Sequence, residues 1–299
     1  NLLTILSFRF MTGFFLAGIY PIGMKIAADY YEKGLGKSLG YLVGALVIGT
    51  ALPHLLKDLT GFLPWKSVLI VTSSLAIFGG LLMNFLVPDG PYRQPGQGLD
   101  TTAFLNTFRN RPFRSAAFGY FGHMWELYAF WAFVPVMLKT YNLAHTESTM
   151  NIPLLSFLII GIGSLACVLS GHLSQIAGTK RIAKIALMLS GFCCIVSPLI
   201  FTTANEVLFV VFLMFWGMVV IADSPLFSTL VSKNAPIEFR GTALTIVNCI
   251  GFSITIISIQ LIDVMTSFLG STNIYVILAI GPLLGLVALK NKNSQQLAN

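Results

Sequence analysis

Two ionisable residues that ordinarily avoid lipid, His123 and Glu126, lie three positions apart within residues 113 to 140, FRSAAFGYFGHMWELYAFWAFVPVMLKT, a run long and apolar enough to cross a bilayer. An acid at the centre of a membrane helix costs about 2.5–3.5 kcal/mol on insertion scales, so a chain that keeps one there normally turns it into a watery cavity and uses it. On a helix the two residues share a face, and Gly119, Phe130 and Phe133 continue the stripe. The chemistry such a face supports is proton exchange at Glu126, with His123 as its partner. The competing reading is interhelical glue, the two side chains bonding each other or a neighbouring helix.

Arg9 and Asp223 are further charges inside apolar runs. A guanidinium can grip a carboxylate or phosphate bidentately, or load and release a proton on Glu126 by moving nearer or farther between states; alternatively Arg9 snorkels to the interface. Asp223 is followed by Pro225, which removes a backbone donor and kinks a helix, a defect tolerated where the backbone lines a cavity or gate. Asn248 is also intramembrane, and amides there commonly cross-link helices.

The elements that position these groups follow from composition. The 299 residues are 56% hydrophobic and 10% charged, with mean hydropathy +0.82, whereas a soluble domain carries about 25% charged residues. The expected class is an all-α polytopic membrane protein with the lipid bilayer as its first partner. The net charge of +7 is then a matter of loop distribution, and nucleic acid is not an expected partner. Cys167, Cys193, Cys194 and Cys249 all lie in apolar runs and read as small packing residues. No His/Cys/carboxylate set has metal-site spacing, and phosphate-loop and dinucleotide fingerprints are missing, so neither metal nor cofactor is expected.

Nine segments of about 20 apolar residues qualify as spans: 2–27, 38–56, 66–87, 113–139, 152–173, 182–203, 207–231, 242–269 and 273–289. Alternating connections gather most of the basic residues on one side, among them Lys33, Lys37, Arg93, Arg109, Lys180 and Arg240, against Lys57, Lys66 and Lys139 on the other. The basic side is expected to be cytoplasmic, with the tail at 291–299 inside and the protein in the plasma (inner) membrane. The Pro- and Gly-rich stretch 88–112 reads as a cytoplasmic linker between 1–87 and a six-span bundle at 113–290. Gly36-Lys37-Ser38-Leu39 is echoed by Gly241-Thr242-Ala243-Leu244, and Pro21 by Pro225, an internal repetition common in transporters. Glycines at 13 and 18, and at 40 and 44, are spaced for close helix packing.

Arg9-x3-Gly13-x3-Ala17-Gly18 resembles the fourth-helix motif of the major facilitator superfamily. The stretch from Gly171 to Arg181 resembles that superfamily's Gly-x-Leu-x-Asp-Arg-x-Gly-Arg-Arg loop, keeping Gly171, Leu173, Gly178 and Lys180 but placing Gln175 and Ile176 where the pattern has Asp and Arg. Pro236-x-Glu238-Phe239-Arg240-Gly241 is similar to its loop between helices ten and eleven. The resemblance implies a two-bundle transporter fold in which residue 1 falls near the start of helix four and 1–87 supplies helices four to six. Helices one to three are then expected to lie outside this sequence. It also implies loop roles for Gly171, Gly178, Lys180, Arg181, Arg240 and Gly241, and a coupling role for Arg9. Gly122 to Tyr128 and Ala222 to Pro225 are loosely similar to bacterial nitrate/nitrite porters.

The function expected is secondary active transport of a small polar or anionic solute by alternating access, coupled to a proton, with Glu126, His123, Arg9 and Asp223 at the coupling site. The alternatives are a sensor or channel, and an intramembrane enzyme, for which no nucleophile and base can be assembled from these residues. Substrate and oligomeric state are open at this point.

Overall fold

A computed structural model describes residues 1–31, 34–61, 64–93, 107–145, 147–236, 239–269 and 272–290. Among them every regular element is helical: α1 (Leu2–Asp29), α2 (Leu35–Leu59), α3 (Lys66–Leu86), α4 (Arg111–Ala144), α5 (Ile152–Gly161), α6 (Gly163–Ala177), α7 (Thr179–Phe201), α8 (Glu206–Ala222), α9 (Ser224–Asn234), α10 (Arg240–Leu269), a 3-10 segment (Thr272–Ala279) and α11 (Ile280–Leu289). This is the all-helical, multi-pass architecture that the hydropathy implies, since in lipid only helices and closed barrels satisfy every backbone group internally.

Eight spans among the described residues are long and apolar enough to cross a membrane, three of them assembled from two pieces: α5 with α6, α8 with α9, and the 3-10 segment with α11. The expected nine therefore becomes eight, and the exception is α4. At 34 residues and about 51 Å it has the length. Its own His123, Glu126, Lys139, arginines and tyrosines dilute its apolarity, and packing supplies what lipid would not tolerate. The helix is largely buried and packs against α5, α8, α9, α10, α11 and the 3-10 segment. Gly122 and Gly281 let α4 and α11 meet backbone to backbone, since a Cβ on either would enter the other's carbonyl oxygen.

The core is divided in two along α4. Phe113 to Met124 join an apolar cluster with Leu187, Leu226, Phe227 and Val247, and Leu127 to Tyr141 join a second with Ile159, Phe209, Leu213 and Trp216. His123 and Glu126 lie at the boundary between them.

The chain ends of the helices sort into two groups. At one, Tyr30 of α1's C-cap hydrogen-bonds the Pro88 carbonyl, the Lys25 side chain of α1 lies 4.0 Å from a Cβ built on Gly241, and Asn110 before α4 bonds the Asn234 carbonyl at the end of α9. At the other, Asn151 before α5 bonds Asp58 near the end of α2 at 2.6 Å, and Tyr141 near the end of α4 bonds the Thr203 carbonyl at 2.9 Å. The ends of α1, α3 and α9 and the starts of α4 and α10 thus share one end of the molecule.

Packing differs among the first three helices. In α2 the buried side runs Gly36, Gly40, Gly44, Val47 and Ala51. A Cβ at Gly40 would come 2.7 Å from the Cys167 carbonyl oxygen, and one at Gly171 would come 2.8 Å from that of Gly36. Small residues here let α2 and α6 cross at backbone distance. By contrast α3 buries nothing and α1 buries only Pro21 and Met24. Gly13 and Gly18, expected as packing glycines, meet no neighbouring helix: a Cβ at Gly13 would touch nothing within 4 Å, and one at Gly18 only Ile22 of its own helix.

Candidate functional site

Three charged or ionisable side chains, His123, Glu126 and Asp223, are each only 1% exposed. Such groups stay buried only when paired or hydrogen-bonded. His123 does not pair with Glu126, as the shared face suggested; its Nδ1 lies 2.7 Å from Asp223 Oδ1. The break in the α8–α9 span makes this pairing. Asp223 caps both helices, and Pro225, inside the first turn of α9, costs that helix no backbone bond there. The result is one span of 29 residues, Glu206–Asn234, whose helical ladder is disturbed at Asp223, a residue that itself keeps helical dihedrals (φ −88°, ψ −15°).

Glu126, one turn along, has separate partners. Trp216 Nε1 of α8 donates to Oε1 at 2.7 Å, Ser190 Oγ of α7 donates to Oε2 at 2.8 Å, and Cys194 Sγ of α7 donates to Oε1 at 3.2 Å. All three donors are neutral. Among the described residues no lysine or arginine is buried, so the only cation this region can form is the His123 imidazolium.

Around the pair lies a polar aromatic shell. Tyr120, one turn before His123, donates through its hydroxyl to Asn248 Oδ1 of α10 at 2.6 Å, and its ring centroid is 5.9 Å from that of His123. Phe227 of α9 covers another side of the imidazole, ring centroids 6.1 Å apart. From α1, Tyr20 reaches Ser224 and Ser228 of α9. Four buried atoms of this cluster have no hydrogen-bond partner among the described residues: His123 Nε2, both Asp223 carboxylate oxygens, and Asn248 Nδ2. Asp223 Oδ1 has the close approach of His123 but no bond of good geometry.

Arg9 does not join them. It lies on the exposed stretch of α1, where the helix touches no other part of the described molecule until Tyr20 and Pro21, so no neighbour draws the guanidinium inward. The loop-motif residues are all at the basic end. Gly178 has φ +87° and is the single residue between α6 and α7, a turn that a side chain would strain. Gly171 lies in the α2–α6 crossing, Lys180 is half-buried, and Arg181 and Arg240 are exposed. Gln175, where the superfamily pattern has Asp, stands beside Gly34 and Gly36 at the start of α2. Glu238 lies outside the described residues.

A model of the Major Facilitator Superfamily matches residues 1–259. The chain belongs to the major facilitator superfamily. Members of this superfamily are secondary transporters rather than enzymes, so this transporter acts on a small-molecule or ion substrate from within a bilayer. No curated protein matches the transporter's sequence. Among its described residues no group of three metal-ligating side chains gathers. A cavity of about 290 Å³ opens at the basic end between α1 and α3, beside Asp29, Asn84 and Asp89, and includes none of the buried charges.

Sequence reasoning had singled out His123, Glu126 and Asp223, but not Tyr20, Tyr120, Ser190, Cys194 or Trp216. Tyr120 was within reach, being three residues before His123 on its face. The donors to Glu126 carried no sequence signal, because their role exists only once α7 and α8 are laid against α4.

Proposed function

We propose that this transporter moves a small anion by alternating access in symport with a proton, and that Glu126 carries the proton. Glu126, Asp223 and His123 form an interior cluster with at most one positive charge, and that is the observation on which the reading rests. With both carboxylates ionised and the imidazole charged, the cluster is net negative and repels an anion. A proton on Glu126 makes it neutral and removes that repulsion, so solute and proton favour each other's binding, which is the thermodynamic content of coupling. The three neutral donors keep the carboxyl in place whether or not it holds the proton.

On this reading residues 1–87 belong to one bundle, as helices four to six of the superfamily pattern, and 113–290 form the other. The linker at 88–112 and the tail at 291–299 are cytoplasmic, in the plasma membrane. The disturbed α8–α9 span and the crossing of α2 with α5 and α6 are where rocking of one bundle against the other is accommodated.

The test is uptake into proteoliposomes with an imposed pH gradient, alkaline inside, using radiolabelled lactate, acetate, nitrate and phosphate. Accumulation of at least one of them, abolished by a protonophore, is expected. Uptake that is indifferent to the gradient, or none for any of the four, contradicts the proposal.

A further inference from the structure

The unpartnered atoms around His123 have a definite chemical sense, and the inference drawn from them rests on the transport reading above while adding the class of solute. Asn248 is fixed by Tyr120: because the tyrosine hydroxyl donates to Oδ1 at 2.6 Å, the amide turns its other end, Nδ2, away as a donor that nothing uses. His123 is oriented instead by the close approach of Asp223. With Nδ1 at 2.7 Å from that carboxylate, the ring's other nitrogen, Nε2, is the free one, and once protonated it is a charged donor. The remaining orphan, Asp223 Oδ2, is an acceptor. His123, Asp223 and Asn248 are all more than nine-tenths buried, where an unmet donor or acceptor is costly. Tyr120 joins the three residues into one connected group, hydrogen-bonded to Asn248 and in ring contact with His123.

We infer that this group is a binding site for a small 2-hydroxy monocarboxylate: His123 Nε2–H and Asn248 Nδ2–H each donate to one carboxylate oxygen, and Asp223 Oδ2 accepts from the solute's hydroxyl. The imidazolium and Asp223 together are neutral, so a singly charged solute enters at less electrostatic cost than sulfate or a dicarboxylate. Phe227 and the Tyr120 ring supply apolar surface for a short carbon tail, which nitrate lacks. The titratable groups near His123 are Tyr120 and Glu126 on its own helix, Asp223 at the α8–α9 break, Cys167 of α6 beside Asp223, and Tyr20 of α1 beside Tyr120.

Equilibrium binding of radiolabelled lactate to the purified protein in nanodiscs, at about pH 5.5, tests the assignment without requiring transport. Lactate is expected to bind saturably and about tenfold more tightly than propionate, which lacks the hydroxyl. Nitrate should compete weakly and sulfate not at all. Asn248→Leu should lose about tenfold in affinity, and Tyr120→Phe, which frees the amide to turn, about threefold. Asn248→Asp keeps the acceptor for Tyr120 but replaces the donor by an acid, and should abolish binding. Cys249→Ser, on the exposed side of the same helix, should bind as wild type. Each variant is compared at matched monodispersity and melting temperature, and Asn248→Asp, the closest in shape, decides the matter if Asn248→Leu does not fold. Wild-type lactate affinity in a folded Asn248→Asp, competition by nitrate or sulfate stronger than by lactate, or no saturable lactate binding to the wild type would overturn the assignment. Lactate binding without proton-driven uptake would leave the site standing and remove the coupling reading instead.

Discussion

Three donors from two helices converge on the Glu126 carboxylate, and the shortest of their bonds is from Trp216, whose ring also packs at a tilt against Phe130 with centroids 4.7 Å apart. A hydrogen bond to a charged group is worth about 1.5–3 kcal/mol. Trp216→Phe keeps most of the ring packing and removes the donor, so it should lower stability by about that amount, as measured by equilibrium unfolding in mixed micelles. The same substitution in a Glu126→Gln background should cost clearly less, because the two changes share one interaction. Equal costs in both backgrounds would show that Trp216 acts only by packing. At this scale the sequence told which residues were costly to bury and not what they touch. Apolar runs around Glu126 and Asp223 were enough to single them out, but the spacing of His123 and Glu126 on one helical face suggested a pair that does not exist, since side chains on a common face still diverge toward different neighbouring helices.

The elements were legible where hydropathy is one-sided and less so where packing replaces lipid. The span at 207–231 was visible, as was the disturbance at Pro225, and the ladder is broken two residues earlier, at Asp223, because the proline offers no N–H to the carbonyl one turn before it. α4 reads as a span by length and proves to be the least lipid-like of the long helices, sheltered by its neighbours. Glycine spacing was informative for α2 and misleading for α1, since identical spacing cannot tell a crossing from an open face. The contrast makes a prediction within one helix. Gly40→Ala would press its Cβ to 2.7 Å from a backbone oxygen, whereas Gly49→Ala meets nothing within 4 Å. The first should destabilise by about 1–3 kcal/mol and the second should not destabilise at all, as read by thermal unfolding in nanodiscs. Equal melting temperatures for the two would remove the α2–α6 crossing from the account.

For the molecule as a whole, the sequence carried the helical class, the clustering of basic connections at one end and the superfamily likeness, all of which follow from composition and local motifs. It did not carry the central polar cluster, which needs α1, α4, α7, α8, α9 and α10 brought together. The end-sorting of the helices makes orientation testable. In intact cells a membrane-impermeant maleimide should label Glu147→Cys and leave Tyr92→Cys unlabelled until the membrane is permeabilised; the reverse pattern would invert the proposed topology. The transport proposal depends on one group above the rest. Glutamine keeps the size and hydrogen-bonding capacity of Glu126 but cannot exchange a proton near neutral pH. The deciding measurement is lactate uptake per folded transporter in proteoliposomes, with and without an imposed pH gradient, for wild type and Glu126→Gln. The variant should lose gradient-driven accumulation while still exchanging solute across the membrane, and gradient-driven accumulation equal to wild type would show that Glu126 is not the proton carrier.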